Sequence, residues 1–466
     1  MAAPAERMSR VDNAWLRMDS DVNLMLIVGV WLLQPGLSHD ALCRRIEERL
    51  LRYPRFRQKV VQDALGANWV DDDAFDLRRH VLREALPRRR GQSERAALQA
   101  RCGALATTPL DPAHPLWQFH LVEHYEGGSA IVVRIHHCIG DGISLTSVVM
   151  SITDGGEAPP RREVGDHDDW LAGAVIRPLT DLAVKAIDLS GEGLSRSMAL
   201  AAHPQDRTRE LARIGVRVAT DLAALALMEN DSPTPLKGRP VGRKLVAWGE
   251  PLPLDVVKSV GKALGASVND VLLSCVAGAI GDYLREIGDD PSGKAIRAMV
   301  PVNLRPLDEA SQLGNRFGLA PLVLPIGIGN PVERVYAVRR RMSALKGSYQ
   351  PVLAFGVLAV AGLLNKGSQD ALLDLFARKA TAVMTNVPGP AHRLGLCGST
   401  LRQSIFWVPQ TGNVAVGVSI FSYAGGVQFA LITDAALCPE PQRIIDRFAP
   451  ELDKLVWLTL MLPWAA

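Results

Sequence analysis

The chain has 466 residues, 52 Lys+Arg against 49 Asp+Glu for a formal charge of +3, and 48% hydrophobic against 22% charged residues. That length exceeds one ordinary core and fits two domains of roughly 200 residues each. The composition is that of a globular protein, not a disordered or fibrous one, and the near-zero charge argues against nucleic acid as a main partner. Six scattered cysteines (Cys43, Cys102, Cys138, Cys275, Cys397, Cys438) without a CxxC pair predict free thiols in a reducing compartment, with no metal site or disulfide framework. The N-terminus lacks the build of a signal peptide, and the longest apolar run, 351–364, falls short of a membrane span. A cytoplasmic protein is expected, peripheral at most to the inner membrane or to lipid droplets.

In chain order, residues 24–33 (LMLIVGVWLL) read as a buried strand ended by Gln34-Pro35-Gly36. Ser38 caps a helix whose Leu42, Ile46 and Leu50 recur every four positions until Pro54. Strands over 117–122 and 131–135 flank Glu126-Gly127-Gly128, a hairpin turn, and a helix follows the loop after the second strand. The first domain is set at 1–153. Residues 154–243, Gly/Pro-rich at both ends with a helical pattern over 207–228, read as a helical crossover linker. The second domain, 244–466, opens with helices over 253–264 and 271–284. Strands follow at 296–302, 320–325, 382–386, 414–422 and 427–433.

The sharpest chemical signal is His136-His137-Cys138-Ile139-Gly140-Asp141-Gly142 in that strand-to-helix loop. A histidine at the end of a rigid strand can be aimed into a cleft as a general base near neutral pH. Asp141 could brace the loop through an arginine, and Gly142 would permit the backbone of the turn. A metal site and a pair of structural histidines are the competing readings; no HExxH or Cys/His cluster supports the first. Neither a GxSxG elbow nor a P-loop nor a GxGxxG after a strand occurs, which disfavours a serine esterase and a nucleotide cofactor.

The HHxxxDG segment resembles that of acyltransferases with the chloramphenicol-acetyltransferase-like fold. Pro54-Arg55-Phe56-Arg57, Trp69, Pro115-Leu116-Trp117, Ser267-Val268-Asn269-Asp270, Pro301-Val302-Asn303-Leu304-Arg305, Gly314-Asn315 and Asn386-Val387-Pro388-Gly389-Pro390 extend the likeness over nearly the whole chain. Together they resemble the bacterial wax ester synthase/acyl-CoA:diacylglycerol acyltransferase family. Leu24-Met25-Leu26 stands where that family often has a Met-His pair, and Arg316-Phe317 is not its commonest continuation.

The resemblance implies an α/β fold of two chloramphenicol-acetyltransferase-like domains, each a mixed sheet flanked by helices, with an active-site tunnel at their junction. It implies transfer of a fatty acyl group from acyl-CoA, as co-substrate and without a cofactor, to a long-chain alcohol or diacylglycerol. His137 would be the general base, His136 and Gly142 its loop support, and Asp141 a structural partner of Arg305. Asn269 is a substrate-placing residue on this view and equally a helix cap on its position alone. Pro115, Leu116, Trp117, Thr385 and Asn386 would contact substrate, although a strand-initiating Trp and an NVPGP turn also suit a core and a rigid bend. Hydrophobic substrates imply peripheral contact with membrane or lipid inclusions, through 351–364 or 455–464, with core burial the competing account of both segments. A carrier-protein-dependent condensation enzyme and a non-catalytic lipid-inclusion protein remain alternatives.

Overall fold

The structure, a computed structural model, describes residues 6–63, 66–155, 228–304, 313–346, 353–354 and 366–461. Strand β1 (Glu6–Arg7) precedes helix α1 (Arg10–Arg17), capped by Ser9, whose hydroxyl accepts from the Asp12 N–H at 3.1 Å. β2 (Leu26–Gln34) leads to α2 (His39–Arg49), where Ser38 takes the Ala41 N–H as its cap and Leu42 and Ile46 are buried, the expected helix. β3 (Gln58–Asp63) and β4 (Gly66–Asp71) form a hairpin that pairs with β1 in a small sheet. After β5 (Val81–Glu84) and α3 (Glu94–Ala106), β6 (Trp117–Tyr125) and β7 (Gly128–His136) make the expected hairpin. Its turn holds Glu126 at φ 47° and Gly127 at φ 74°, left-handed values that the glycine adopts without strain. α4 (Gly142–Ser151) follows.

Beyond residue 227 come β8 (Lys244–Trp248), β9 (Leu252–Pro253), α5 (Leu254–Leu264) and α6 (Val268–Glu286). Next are β10 (Ile296–Asn303), β11 (Phe317–Leu324), α7 (Pro331–Lys346) and α8 (Lys366–Ala377). β12 (Ala382–Pro388), β13 (Gly395–Leu396), β14 (Ser399–Trp407), β15 (Val416–Tyr423), β16 (Gly426–Asp434) and α9 (Pro441–Leu460) are the last of the described elements. The helical pattern at 207–228 lies almost wholly outside the described residues, as do Arg305 and, apart from 353–354, the apolar run 351–364.

Two large mixed sheets result. One has the order β13-β14-β2-β7-β6-β5, the other β11-β10-β12-β15-β16-β8 with β9 beside β16. β10, β12 and β15 run parallel, and their neighbours antiparallel. No strand is read from the sequence over 399–407, yet β14 pairs with β2 in the first sheet, setting Phe406 opposite Gly29 and Trp407 opposite Val28.

β2 explains how the sheets are joined. Its residues Leu26, Val28, Val30 and Leu32 face a core shared with α3, β8, β14 and β16, in which Trp248 and Trp407 meet at 5.7 Å. Trp31 and Leu33 face the opposite way, into the core under α1, α2 and α4. A third core lies between the second sheet and α5, α6 and α9. Each buried Val, Leu or Phe in these layers contributes about 1.5–3 kcal/mol over exposure, so period-two burial on both faces of β2 holds the halves in register.

Candidate active site

The backbone of the HHxxxDG loop is fixed at both ends. The His136 N–H donates to the Leu116 carbonyl at 3.0 Å and the His137 N–H to the Met25 carbonyl at 2.7 Å, continuing the β7 edge. The Ile139 N–H then turns back onto the His136 carbonyl at 3.1 Å, and Asp141 caps α4 by accepting the Ser144 N–H on Oδ1 at 2.9 Å. Oδ2 of the same carboxylate accepts the Arg316 N–H at 3.3 Å, and the Asp141 N–H donates to the Gly314 carbonyl at 3.4 Å. The loop is thereby stitched to 314–316 from the other half of the chain, with Gly314 at φ 113°.

Asn315 completes that seam. Its side-chain Nδ2 donates to the His137 carbonyl at 2.8 Å and to Asp12 Oδ1 at 2.7 Å, while its backbone N–H reaches the same Asp12 oxygen at 3.0 Å. Burial pushes the Asp12 carboxyl above the usual carboxylate range. The His137 ring stacks on Trp15 at 4.2 Å and 11° and meets Phe317 at 5.6 Å. Its Nδ1 is buried with no hydrogen-bond partner among the described residues. Burial pulls its pKa down to about 4, outweighing the attraction of Asp141. At neutral pH it is an uncharged imidazole.

His136 is held differently. Burial opposes a charge on this ring while Cys138 and Asp19 favour one, and the balance raises its pKa. Nδ1, however, accepts the Cys138 N–H at 3.1 Å, so it carries a lone pair, and Nε2 faces Asp19 Oδ2 at 3.3 Å. In this arrangement the ring is the Nε2–H tautomer, and a second proton requires breaking the bond to Cys138.

His137 faces a cavity of about 170 Å³ between the two sheets, walled by Trp15, Met25, Asp141 and Gly142 on one side and Asn303, Phe317, Thr385, Asn386 and Val408 on the other. An uncharged base against apolar walls can take a proton from a bound hydroxyl while water is held away.

Residues 8–272 match the wax ester synthase/diacylglycerol acyltransferase catalytic domain, and residues 313–456 match the C-terminal domain of the same family. The chain belongs to the wax ester synthase/diacylglycerol acyltransferase family. It is an acyltransferase. A probable diacylglycerol O-acyltransferase of Mycobacterium tuberculosis is 27% identical over 428 residues, covering 89% of this chain and 88% of the relative. A putative diacylglycerol O-acyltransferase of the same organism is 26% identical, covering 97% and 91%. Among solved structures, the wax ester synthase/diacylglycerol acyltransferase of Marinobacter aquaeolei VT8 superposes with a TM-score of 0.65 at 20% identity over 97% of this chain and all of that one. The first condensation domain of the calcium-dependent antibiotic synthetase does so with 0.57 at 15% identity over 99% and 97%. These likenesses establish the chloramphenicol-acetyltransferase-like fold.

Within this acyltransferase, the residues singled out from the sequence divide into two groups. His137, Asp141, Gly142, Thr385 and Asn386 all border the cavity. Asn269 stands one layer behind, its Oδ1 accepting from Asn386 Nδ2 at 2.7 Å. It is not the cap of its helix: Ser267 is, in a capping box with Asp270. Pro115, Leu116 and Trp117 do not border the cavity. Trp117 is wholly buried, stacked on His80 at 4.4 Å with its Nε1–H on the Phe56 carbonyl at 2.9 Å, so the core reading of this residue holds. Pro115 borders a separate pocket with His114, and Leu116 serves through its carbonyl, which anchors His136. Gly142 has no left-handed φ, and a Cβ there would meet nothing within 4 Å, so the turn does not demand a glycine. The Asp141–Arg305 pair falls outside the described residues.

Sequence reading misses Asp12 and Trp15, and treats Asn315 only as part of a matching segment. An Asp-x-x-Trp pattern in α1 was the available signal, since a one-turn spacing places both residues on one helix face. The two departures from the family pattern also matter more than expected. Met25 and Phe317 both border the cavity and both touch His137, one through its carbonyl and one through its ring.

Proposed function

We propose that this enzyme transfers a fatty acyl group from acyl-CoA to the hydroxyl of a long-chain alcohol or diacylglycerol, in one ternary complex, without a cofactor and without an acyl-enzyme. The observation that carries this is the uncharged His137 imidazole set against an apolar cavity between the sheets. Its lone pair takes the hydroxyl proton as the oxygen attacks the thioester carbonyl. The tetrahedral oxyanion collapses to the ester, the C–S bond breaks, and the departing thiolate recovers the proton from the imidazolium. The Trp15 face, parallel to the ring, favours the positive charge while it exists. Asn386, steadied by Asn269, is the donor proposed for the oxyanion, and Asp141 and Gly142 set the loop that aims His137. CoA and acceptor enter from opposite mouths of a tunnel through this cavity.

Such substrates draw the enzyme to a lipid surface. At the end of α9, Trp457, Leu460 and Met461 are exposed, an apolar group suited to peripheral contact with membrane or lipid inclusions. Among the described residues no single helix is long and apolar enough to cross a membrane.

The test is thiol release from palmitoyl-CoA by the purified full chain, with hexadecanol or dipalmitoylglycerol as acceptor, beside a His137→Ala variant. Acceptor-dependent release, lost by about 10²–10⁴-fold in the variant with its circular dichroism unchanged, is expected. The better acceptor assigns the activity. Well-folded protein that releases no thiol with either acceptor would overturn the reading.

A further inference from the structure

A second cavity of about 60 Å³ lies beneath α4, against the faces of β2, β7, β14 and β15. Gly29, Ile135, Val149, Phe406 and Phe421 are among its walls, and no charged side chain borders it. Of its few polar groups, the Thr146 hydroxyl already donates to the Gly142 carbonyl at 2.6 Å. Two residues, Gly142 and Val408, border both this chamber and the cavity at His137. A Cβ at Gly142 would meet nothing within 4 Å, so the shared wall carries no side chain at that residue.

Gly29 is the second telling residue. A glycine inside a strand weakens it and commonly marks a place where something approaches the backbone closely. Here it is half-buried between the fully buried Val28 and Val30, on the face of β2 that looks towards α4. Its φ is not left-handed, and a Cβ would meet only the Ile405 carbonyl at 3.4 Å and the Phe406 Cβ at 3.8 Å. The protein has room for a side chain at this position and does not fill it. Phe406, directly across the ladder, packs edge-on against Phe421 at 5.5 Å and closes the side of the chamber.

We propose that this chamber receives the distal methylenes of the linear alkyl chain whose reactive end lies at His137, and that Gly29 sets its depth. The proposal rests on the acyl-transfer reading above. A narrow, uncharged slot bounded by aromatic and branched side chains selects an unbranched hydrocarbon over the branched body of a glyceride. Two substrates could supply that hydrocarbon: the acyl group of the thioester, or the tail of the alcohol.

The experiment compares wild type with Gly29→Ala and Gly29→Leu in two series, octanoyl- to stearoyl-CoA with fixed hexadecanol, and octanol to octadecanol with fixed palmitoyl-CoA. Each methylene displaced costs about fourfold in kcat/KM. Gly29→Leu should thus turn preference towards shorter chains by about tenfold or more in one series only. Gly29→Ala should move it the same way by less, and Phe406→Leu the opposite way. The series that shifts names the occupant. Unshifted profiles in both series, in variants that still turn over, overturn the proposal. Palmitate binding by calorimetry provides a readout independent of catalysis. If wild type shows no turnover, the functional reading fails while binding weakened by Gly29→Leu upholds the chamber; binding that is absent, or unaffected by the variant, overturns it.

Discussion

Acidification tests the environment of His137 directly. The residue is 5% exposed, and burial lowers its pKa from the usual value of 6.5 to about 4. That difference corresponds to about 3 kcal/mol against protonating the ring in the folded protein. Because the folded pKa lies below the unfolded one, the stability this group confers is complete above pH 6.5 and is lost as pH falls towards 4. His120, also held at about 4 by burial in spite of Glu84, loses its share in the same window. His80, whose pKa burial also lowers, adds to the same loss. The urea-unfolding free energy should therefore fall between these limits, and His137→Gln should remove part of the slope, with His80 and His120 supplying the rest. In catalysis, kcat/KM should stay level through pH 6.5 and bend only near 4, since the free enzyme's base titrates there. Trp15→Ala uncovers the stacked face of the ring to water. It should carry the acid limb upward towards 6.5 and cost about 5–30-fold in kcat, the equivalent of about 1–2 kcal/mol of lost cation–π support. Initial rates of thiol release at constant ionic strength give the profile, and denaturation at each pH gives the stability curve. A wild-type acid limb at the ordinary histidine value, unmoved by Trp15→Ala, would refute the assignment of a buried neutral base.

Asn315→Ala removes the side-chain donor to Asp12 and to the His137 carbonyl while its backbone N–H stays on Asp12, and should cost about 1–3 kcal/mol by urea denaturation. Asn315→Asp should cost more at neutral pH and partly recover on acidification, as one of two facing carboxyls takes a proton. Arg334 and Glu451 form an ion pair with side chains only 3% and 1% exposed, so Arg334→Met alone should lose about 3–5 kcal/mol. Pairing it with Glu451→Leu should restore most of that loss in the same unfolding assay. Gly142→Ala should leave the unfolding free energy within about 0.5 kcal/mol of wild type, because a Cβ there meets nothing within 4 Å, while Gly142→Leu, whose outer atoms enter the space at this position, should lower kcat/KM for palmitoyl-CoA by about tenfold or more. A comparable fall with octanoyl-CoA would show instead that the loop itself had moved.

The parts of this fold that were legible in the sequence are those in which cause and effect lie close together along the chain. The Ser38 cap, the hairpin at Glu126-Gly127 and the Asp141 cap that starts the helix after the HHxxxDG loop all rest on contacts within a few residues. The surroundings of His137 were not legible, because they converge from α1, the β7 loop and the start of β11. Nothing near Trp15 in the sequence says which ring it will cover. Asn269 shows the same limit at short range: the helix read as starting at 271 starts at Val268, Ser267 takes the cap, and Asn269 reaches Asn386. Trp117 looked like a substrate contact by resemblance, but its indole is wholly buried in the core.

The pairing of β14 with β2 bears on how the polypeptide is made. The ribosome completes β2 early and β14 only when most of the chain exists, so for that interval the strand LIVGVWLLQ has one side of its backbone unpaired. An unpaired strand of this apolarity is a template for association with other nascent chains. The half of the protein that carries HHxxxDG, expressed by itself, should accumulate in inclusion bodies and become soluble when a fragment containing β14 is supplied in trans. The histidine loop is written early in the gene, but the sheet that supports it closes only near the end of translation.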